Sequence, residues 1–323
     1  MSVRLKHLAL VGCALSLPLV AHWVVAGAGQ PAAEAYFRRA PVLKQASKAP
    51  VYAAALAGER AVAVGDYGSI ILSDDGKTFR QAKVPTRAPL TAVHFVDARQ
   101  GWAAGHDGTI LSTQDGGESW QIQREAPGQD QVLLAIWFAD VQRGLAVGQF
   151  GLALRTEDGG KTWNESLLID GEAGERHLLA IVPGRDGLVL VATEAGGVLR
   201  STDQGRHWQA IQTENKGSFW TGIELADGSL LLSGMRGNLY RSDDRGVHWR
   251  RVESGTQQSL TSVVTQPDGS VHFVGLGGVS LTSSDAGRSF SLATRLDRQA
   301  QTAVVRLGQT KLVFGTSGLL AQP

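Results

Sequence analysis

Carboxylates recur along this chain at a nearly constant spacing. Six copies of a short motif each place an aspartate two residues before a glycine, and these aspartates are Asp74, Asp115, Asp158, Asp203, Asp244 and Asp285. Carboxylates could bind a metal ion or act as acid and base catalysts. Six equivalent copies on successive repeat units cannot converge on one substrate. We therefore interpret them as structural residues that accept hydrogen bonds from nearby backbone N–H groups and close a turn.

The other positions of the motif suit a turn between two strands. The glycine allows a positive φ, a Ser or Thr two residues before the Asp adds a local hydrogen bond in the last five copies, and an aromatic residue covers the hairpin. The aromatic residues lie 41, 43, 45, 41 and 41 residues apart, and they are Phe79, Trp120, Trp163, Trp208, Trp249 and Phe290. A fixed period of this length indicates a repeat architecture.

A Gly-x-x-Gly turn precedes each motif and gives the number of units. It occurs at residues 65–68, 105–108, 148–151, 234–237 and 275–278, with a variant at 193–196 and a seventh copy at 315–318. Short apolar runs flank these turns, and a further run begins near Val51, Leu90, Val132, Leu178, Phe219, Leu260 and Thr302. Runs this short, bounded by glycine, predict strands. Seven units with four strands each predict an all-β protein, a seven-bladed β-propeller over residues 39–323.

The two ends of this region predict how the ring closes. The seventh unit has no aspartate motif, and the sequence ends five residues after Gly318. We expect residues 39–47, which precede the first unit, to supply the outer strand of the last blade. Such pairing would remove an open sheet edge.

The first 28 residues predict an export signal. Arg4 and Lys6 precede an apolar run over residues 8–25, and Ala26 and Ala28 occupy the small-residue positions of a cleavage site. We predict a cleaved signal peptide over 1–28, a linker over 29–38 and a periplasmic location. The alternative is an uncleaved membrane-associated segment. Cys13 superficially matches a lipoprotein cleavage box, but the apolar run before it is too short.

Composition narrows the classes of partner. The chain has 31 Lys and Arg against 30 Asp and Glu, with no basic stripe, so nucleic acid is not an expected partner. The eight His residues show no metal-ligand spacing, and we expect no metal, cofactor or small-molecule substrate. Loss of Cys13 with the leader would leave no thiol, which suits an oxidising compartment.

One face of the predicted ring varies from blade to blade. We call it the turn face, because it carries the Gly-x-x-Gly turns and the connections between blades. Loops on a rigid scaffold carry function, and Tyr, Phe, Met and Arg are frequent at protein interfaces. We hypothesise a partner-binding surface made of Asp66, Tyr67, His106, Asp107, Gln149, Phe150, Met235 and Arg236. The alternative is that the aromatic side chains fold back onto their own blades.

Two further groups of charged residues have competing interpretations. Asp66, Asp107 and Glu194 could supply the acid and base of a glycoside hydrolase on the turn face, or simply suit hairpin turns. Arg155, Arg200 and Arg241 hold the same register on three successive blades. They could form a basic strip for an acidic partner, or each could pair with a neighbouring carboxylate or with water.

The sequence resembles a known family of propellers. The stretches that carry the resemblance are residues 95–97, 101–105, 108–111 and 115–120, repeated as 138–140, 144–148 and 155–163. They are similar to the photosystem II stability/assembly-factor family, within the Asp-box (BNR repeat) superfamily, over about residues 40–323. The resemblance implies a non-enzymatic, exported factor that docks on a membrane protein or a membrane-complex subunit during assembly, with the client left open.

Sialidases share the Asp box and provide the runner-up function. Their boxes are not catalytic, and residues 37–41 have one residue too many for the signature that precedes the first box in that family. Tyrosines outside the leader are few, and only Tyr67 lies on a predicted binding turn. A glycan-binding or glycoside-hydrolysing propeller is thus the alternative to a protein-docking factor.

Overall fold

The computed structural model describes residues 39–321, which form seven consecutive antiparallel sheets. The predicted leader and linker lie outside the described residues. Strands within each sheet pair in chain order, so every blade is a simple meander. Six blades have four strands and the seventh has three. The prediction of an all-β, seven-bladed propeller is confirmed.

The strands are described blade by blade, from the innermost strand outward. Blades 1 and 2 contain β1 (Val51–Ala57), β2 (Arg60–Gly65), β3 (Ile70–Ser73), β4 (Arg80–Gln81), β5 (Leu90–Phe95), β6 (Gly101–Gly105), β7 (Ile110–Thr113) and β8 (Gln121–Arg124). Blades 3 and 4 contain β9 (Leu133–Phe138), β10 (Gly144–Gly148), β11 (Ala153–Thr156), β12 (Asn164–Glu165), β13 (Leu178–Pro183), β14 (Val189–Thr193), β15 (Gly197–Ser201) and β16 (Gln209–Gln212). Blades 5 to 7 contain β17 (Phe219–Glu224), β18 (Leu230–Gly234), β19 (Leu239–Ser242), β20 (Arg250–Val252), β21 (Leu260–Thr265), β22 (Val271–Gly275), β23 (Val279–Ser283), β24 (Ser291–Thr294), β25 (Gln301–Leu307), β26 (Thr310–Gly315) and β27 (Gly318–Leu319). A single α-helical turn, Glu172–Glu175, lies between blades 3 and 4.

Burial explains why the second strands read as continuous apolar runs. Every residue of β6, β14 and β18 is buried, because each blade packs against a neighbour on both faces. The outer strands are different, and all four residues of β24 are exposed. The apolar core therefore lies between adjacent blades. One cluster, for example, joins Leu231 of blade 5 to Phe273 of blade 6.

A repeated set of hydrogen bonds closes the aspartate motifs, as blade 4 illustrates. The Ser201 hydroxyl donates to Asp203 Oδ1 at 2.7 Å and accepts from the Gly205 N–H at 2.9 Å. Asp203 Oδ1 also accepts from the His207 N–H at 2.9 Å, and Asp203 Oδ2 lies 2.6 Å from His207 Nδ1. Trp208 Nε1 donates to the Gly205 carbonyl at 3.0 Å. Equivalent hydroxyl–carboxylate–glycine bonds surround Asp115, Asp158, Asp244 and Asp285.

The first motif departs from this pattern, and Asp74 does not close its turn. Asp75 takes that position: it accepts from the Ser73 hydroxyl at 3.1 Å and from the Thr78 N–H at 2.7 Å. Asp74 instead pairs with Arg60 and Arg80 at 2.5 and 2.8 Å. The reason is that this motif is one residue shorter than the others between its aspartate and its glycine. The carboxylate two residues after Ser73 is therefore Asp75, which directly precedes Gly76, and not Asp74.

The hydrogen bonds at these motifs make the fold sensitive to acid. Donation by the backbone and hydroxyl of Thr162 lowers the pKa of Asp158 to about 2, from the usual value of about 3.9. A pKa lowered by folding gives stability that is present above the unfolded pKa and lost as the pH falls through the folded one. We therefore expect the melting temperature to fall between about pH 4 and pH 2, and to fall less in Asp158→Asn. Melting curves of both proteins across this range test it, and parallel pH profiles would contradict it.

The ring closes where β25 of blade 7 meets β1 of blade 1. The Thr302 hydroxyl donates to the Val51 carbonyl at 2.5 Å across this seam. The same bond joins Thr91 to the Leu133 carbonyl at 2.5 Å, between blades 2 and 3. An edge-to-face contact of Phe79 with Phe314, 6.0 Å between ring centroids, adds to the seam. The seam thus uses contacts of the kind found between other blades.

The prediction that residues 39–47 form the outer strand of the last blade is wrong. Among the described residues, the sheet of blade 7 contains only β25, β26 and β27. The Gln81 side chain holds residues 39–47 against blade 1. It accepts a hydrogen bond from the Leu43 N–H and donates one to the Pro41 carbonyl, both at 2.8 Å. A short 3-10 turn, Ala46–Lys48, then reaches β27. The segment bridges the two blades without pairing as a strand.

Candidate functional site

The six complete turns of the turn face share one backbone conformation. Each is a single 3-10 turn, and the turns are Asp66–Gly68, His106–Gly108, Gln149–Gly151, Glu194–Gly196, Met235–Gly237 and Leu276–Gly278. The middle residue has a positive φ even where it is large: 51° at Tyr67, 52° at Phe150 and 56° at Arg236. For a bulky residue this conformation is uncommon and costs on the order of 1 kcal/mol or more. The turn presents that residue outward.

The last glycine of each turn fixes the turn to the connection between blades. At Gly151, φ is 71° and an added Cβ would lie 1.9 Å from the Gly174 carbonyl oxygen. At Gly196 the Cβ would lie 1.9 Å from the Asn215 carbonyl oxygen. A glycine is required there both by conformation and by space. The turn face is consequently built from two layers of backbone in direct contact.

The hypothesised partner-binding residues occupy equivalent positions on blades 1, 2, 3 and 5. Five of them are exposed, namely Tyr67, His106, Asp107, Phe150 and Arg236. The remaining three are half-buried, namely Asp66, Gln149 and Met235. Because Tyr67 is 64% exposed and Phe150 is 77% exposed, neither ring folds back onto its blade. The structure therefore distributes these residues around one face and does not gather them into one pocket.

Two local clusters surround the exposed aromatic residues. The Phe150 ring contacts His177 edge-on, with 4.6 Å between centroids, and its N–H donates to His177 Nδ1 at 2.9 Å. On blade 1, Tyr52 lies near Asp66 and Tyr67; its burial, and secondarily the Asp66 carboxylate, raise the pKa of the Tyr52 hydroxyl. Sequence reasoning did not single out His177 and Tyr52 as neighbours of the hypothesised partner-binding residues.

A bulge at the start of each innermost strand is a second feature that sequence reasoning missed. Pairing skips the second residue of all seven first strands, next to the turns. The skipped residues are Tyr52, Thr91, Leu134, Leu179, Trp220, Thr261 and Thr302. Bulges re-aim side chains and are frequent beside functional sites. Their nearly constant distance from each turn, which varies by only one residue along the chain, was the available signal.

The three arginines in equal register do not form a free basic strip. Each binds a backbone carbonyl in the aspartate motif of the next blade: Arg155 binds Gly205, Arg200 binds Arg245 at 2.7 Å, and Arg241 binds Ala286. Arg241 is 1% exposed. The interpretation of local pairing is closer: Arg241 also pairs with the carboxylates of Asp243 and Asp227, and each of the three arginines has a carbonyl partner on the next blade. These side chains connect one blade to the next.

The carboxylates considered for glycoside hydrolysis lie on three separate blades. Glu194 Oε1 accepts from the His177 N–H at 2.9 Å, and Asp66 Oδ1 accepts from the Tyr67 N–H at 3.1 Å. Both carboxylates therefore stabilise backbone at their turns. Within residues 39–321, no group of three or more His, Cys, Asp or Glu side chains is placed to hold a metal ion.

Comparison with protein families identifies the chain. The model of the family described as photosynthesis system II assembly factor YCF48 matches residues 71–318. The chain belongs to this family. The resemblance seen in the sequence is confirmed, and the Ycf48 family supports the description of an assembly-factor propeller.

Two curated members of the Ycf48 family are similar over part of the chain. The photosystem II assembly protein Ycf48 of Thermosynechococcus vestitus is 34% identical over 143 residues, 44% of this chain and 41% of that protein. The photosystem II assembly lipoprotein Ycf48 of Prochlorococcus marinus is 35% identical over 145 residues, 45% of this chain and 42% of that protein. The alignments thus span about two fifths of the length of each relative.

Solved structures agree with the fold. A structure described as YCF48 bound to D1 peptide has a TM-score of 0.69 at 17% identity, covering 86% of this chain and 94% of that one. Virginiamycin B lyase from Staphylococcus aureus has a TM-score of 0.72 at 11% identity, covering 87% of this chain and 96% of that one. At such identities the likeness concerns architecture alone, and an enzyme and an assembly factor share it.

Proposed function

We propose that this chain is a non-enzymatic docking factor that binds a subunit of a membrane-associated complex through its turn face. The observation that carries the proposal is the exposure of Tyr67 and Phe150 at positive φ on a rigid ring. Strained backbone that presents large apolar side chains to solvent is typical of functional sites. Tyrosine and arginine, present here as Tyr67 and Arg236, are also frequent in binding hot spots.

The structural relatives support docking more than catalysis. One family member, YCF48, was solved bound to D1 peptide, so a family propeller can hold a peptide segment. In this chain, the carboxylates of Asp66 and Glu194 accept hydrogen bonds from backbone N–H groups, which gives both side chains a structural role. The proposal names a membrane protein as partner and leaves its identity to experiment.

The proposed location is outside the cytoplasmic membrane, in association with it. The basis is the predicted leader over residues 1–28, together with a relative named a lipoprotein. Within residues 39–321, no helix combines the length and the apolar character needed to cross a bilayer.

Affinity capture from detergent-solubilised membranes of the native host tests this function. We expect the chain to enrich subunits of one membrane complex, and the double variant Phe150→Ala, Arg236→Ser to lose at least about tenfold of that yield, since interface aromatic and arginine residues dominate binding energy. Mass spectrometry identifies and quantifies the captured proteins. Melting curves must show that the variant is as stable as the parent.

The matched control makes the same kinds of change away from the turn face. Leu292 on β24 and Arg250 on β20 are both exposed on outer strands, so Leu292→Ala with Arg250→Ser should leave capture unchanged. Capture that survives in the turn-face variant would refute the proposal. Release of sugars from unlabelled polysaccharides would favour the glycan-active alternative.

A further inference from the structure

A groove on blade 3 places exposed apolar side chains beside carboxylates and amide side chains. It has a volume of about 440 Å³ and is lined by three segments: residues 129–132, which lead from blade 2 into blade 3, residues 149–153, and residues 165–167. The first segment is a connection, the second contains the turn of Phe150, and the third follows the outer edge of the blade. We call it the blade 3 groove.

The apolar part of this groove is unusually open to solvent. Phe150 and Leu167 both line it, and they are 77% and 68% exposed. Among the large apolar side chains of residues 39–321, only those of Val42 and Leu296 are more exposed to solvent than both Phe150 and Leu167. Single exposed apolar residues need no explanation, but two beside one groove indicate a binding surface. Phe150 also holds a strained positive φ of 52°, so its outward position is imposed by the fold.

The charged part of the groove has one sign. Asp130 and Glu165 contribute carboxylates, and the lining residues include neither Lys nor Arg. Arg124 lies 3.8 Å from Glu165, but it makes shorter bonds with the Gly108 carbonyl at 2.8 Å and Gln131 Oε1 at 2.7 Å. The groove therefore attracts cations rather than anions, since complementary charge steers and orients partners.

The polar neutral groups suit a peptide backbone. Gln129 and Gln149 line the groove, and each amide side chain offers both donors and acceptors. The Gln131 amide is already paired, because it accepts from Arg124 at 2.7 Å and donates to Glu165 Oε1 at 3.1 Å. An extended segment presents alternating N–H and C=O groups that such side chains can satisfy, while its side chains enter pockets for specificity.

We propose that the blade 3 groove binds an extended segment of a partner protein that carries an apolar side chain and, within a few residues of it, a Lys or Arg. The apolar side chain packs between Phe150 and Leu167, and the cation pairs with Asp130 and Glu165. This inference rests on the proposed docking function and specifies the chemistry of the partner segment.

Selection from a phage-displayed library of random 12-residue peptides, panned on the purified full-length chain, tests the inference. We expect the enriched peptides to pair an aromatic or aliphatic residue with a nearby Lys or Arg and to be poor in Asp and Glu. The best peptide, synthesised with a fluorescein label, is then titrated against variants by fluorescence anisotropy. Leu167→Ser should weaken binding at least about tenfold, because it removes one apolar wall.

The charged pair and a control complete the design. Asp130→Asn with Glu165→Gln should weaken binding about tenfold at low salt and flatten its dependence on salt, because screened charge pairs carry that dependence. Leu296→Ser removes an even more exposed leucine from another groove, between blades 6 and 7, and should change nothing. No enrichment, enrichment of acidic peptides, or equal affinity of parent and groove variants would overturn the inference.

Failure of this inference can be told apart from failure of the docking function. If membrane-protein capture depends on the turn face but Leu167→Ser and the paired carboxylate variant capture normally, docking stands and the groove is not its site. If groove-dependent peptide binding is measured but no membrane protein is captured, the groove stands and the membrane partner is wrong.

Discussion

Arg241→Ala is expected to lower the free energy of unfolding by about 2–3 kcal/mol, because it removes a buried guanidinium whose hydrogen bonds hold two partly exposed carboxylates and a carbonyl of the next blade. The Arg241 side chain is 1% exposed and bonds to Asp243 at 2.7 Å and Asp227 at 3.2 Å. It also donates to the Ala286 carbonyl in the motif of the next blade. Alanine would leave that carbonyl without its donor and two carboxylates without their shared cation. Chemical denaturation monitored by tryptophan fluorescence measures the change.

Arg250 provides the matched control for this effect. It lies 3.5 Å from the same Asp243, but its side chain is 52% exposed. Exposed ion pairs contribute about 0–1 kcal/mol, so Arg250→Ala should be nearly neutral. Equal effects of the two alanine variants would show that Arg241 acts as an ordinary surface charge and does not connect blades 5 and 6.

Trp120→Ala is expected to destabilise the fold by about 3–5 kcal/mol, the usual range for truncating a buried aromatic residue. Trp120 is 4% exposed and contacts Phe95 edge-on, with 6.0 Å between ring centroids. Its Nε1 donates to the Gly117 carbonyl at 2.9 Å. The variant loses both the packing between blades 1 and 2 and a bond within the turn. Denaturation curves give the magnitude.

Trp120→Phe separates packing from hydrogen bonding. Phenylalanine occupies the equivalent position in two other blades, as Phe79 and Phe290, so the ring should be accommodated. We expect a loss of about 1 kcal/mol, the usual contribution of one hydrogen bond. If Phe and Ala were equally destabilising, the indole N–H rather than the apolar ring would dominate at this position.

The number of blades could be predicted from the sequence because burial and turn chemistry repeat together. Strands such as β14 and β18 are mainly apolar, are buried throughout and end at a turn marked by glycine, so local pattern and tertiary environment agree. The edge of the ring could not be predicted in the same way. The position of residues 40–43 depends on Gln81, a residue about forty positions away in the chain, and no periodicity reports such a contact.

The candidate site was only partly visible in the sequence. The variable turn residues could be named, but Tyr67 and Phe150 hold a conformation that their own preferences oppose. Contacts between segments impose it; the Gln149 N–H, for example, donates to the Val132 carbonyl at 3.1 Å. The register of Arg155, Arg200 and Arg241 was equally visible, whereas their carbonyl partners lie on the next blade. Residues of distant segments meet at the blade 3 groove as well, so it has no signature in any single stretch.

The seam of the ring constrains the order in which the molecule can be made. Val51 and Thr302, which meet there, are 251 positions apart. Blades 2 to 6 can each pack on the preceding blade during synthesis, but the flank of blade 1 that carries Ile71 waits for Phe314. Such distant contacts form slowly. Until then, a nascent chain exposes the apolar flank of blade 1, the first blade to be synthesised. A chaperone would have to cover this surface to prevent aggregation with other incompletely folded chains.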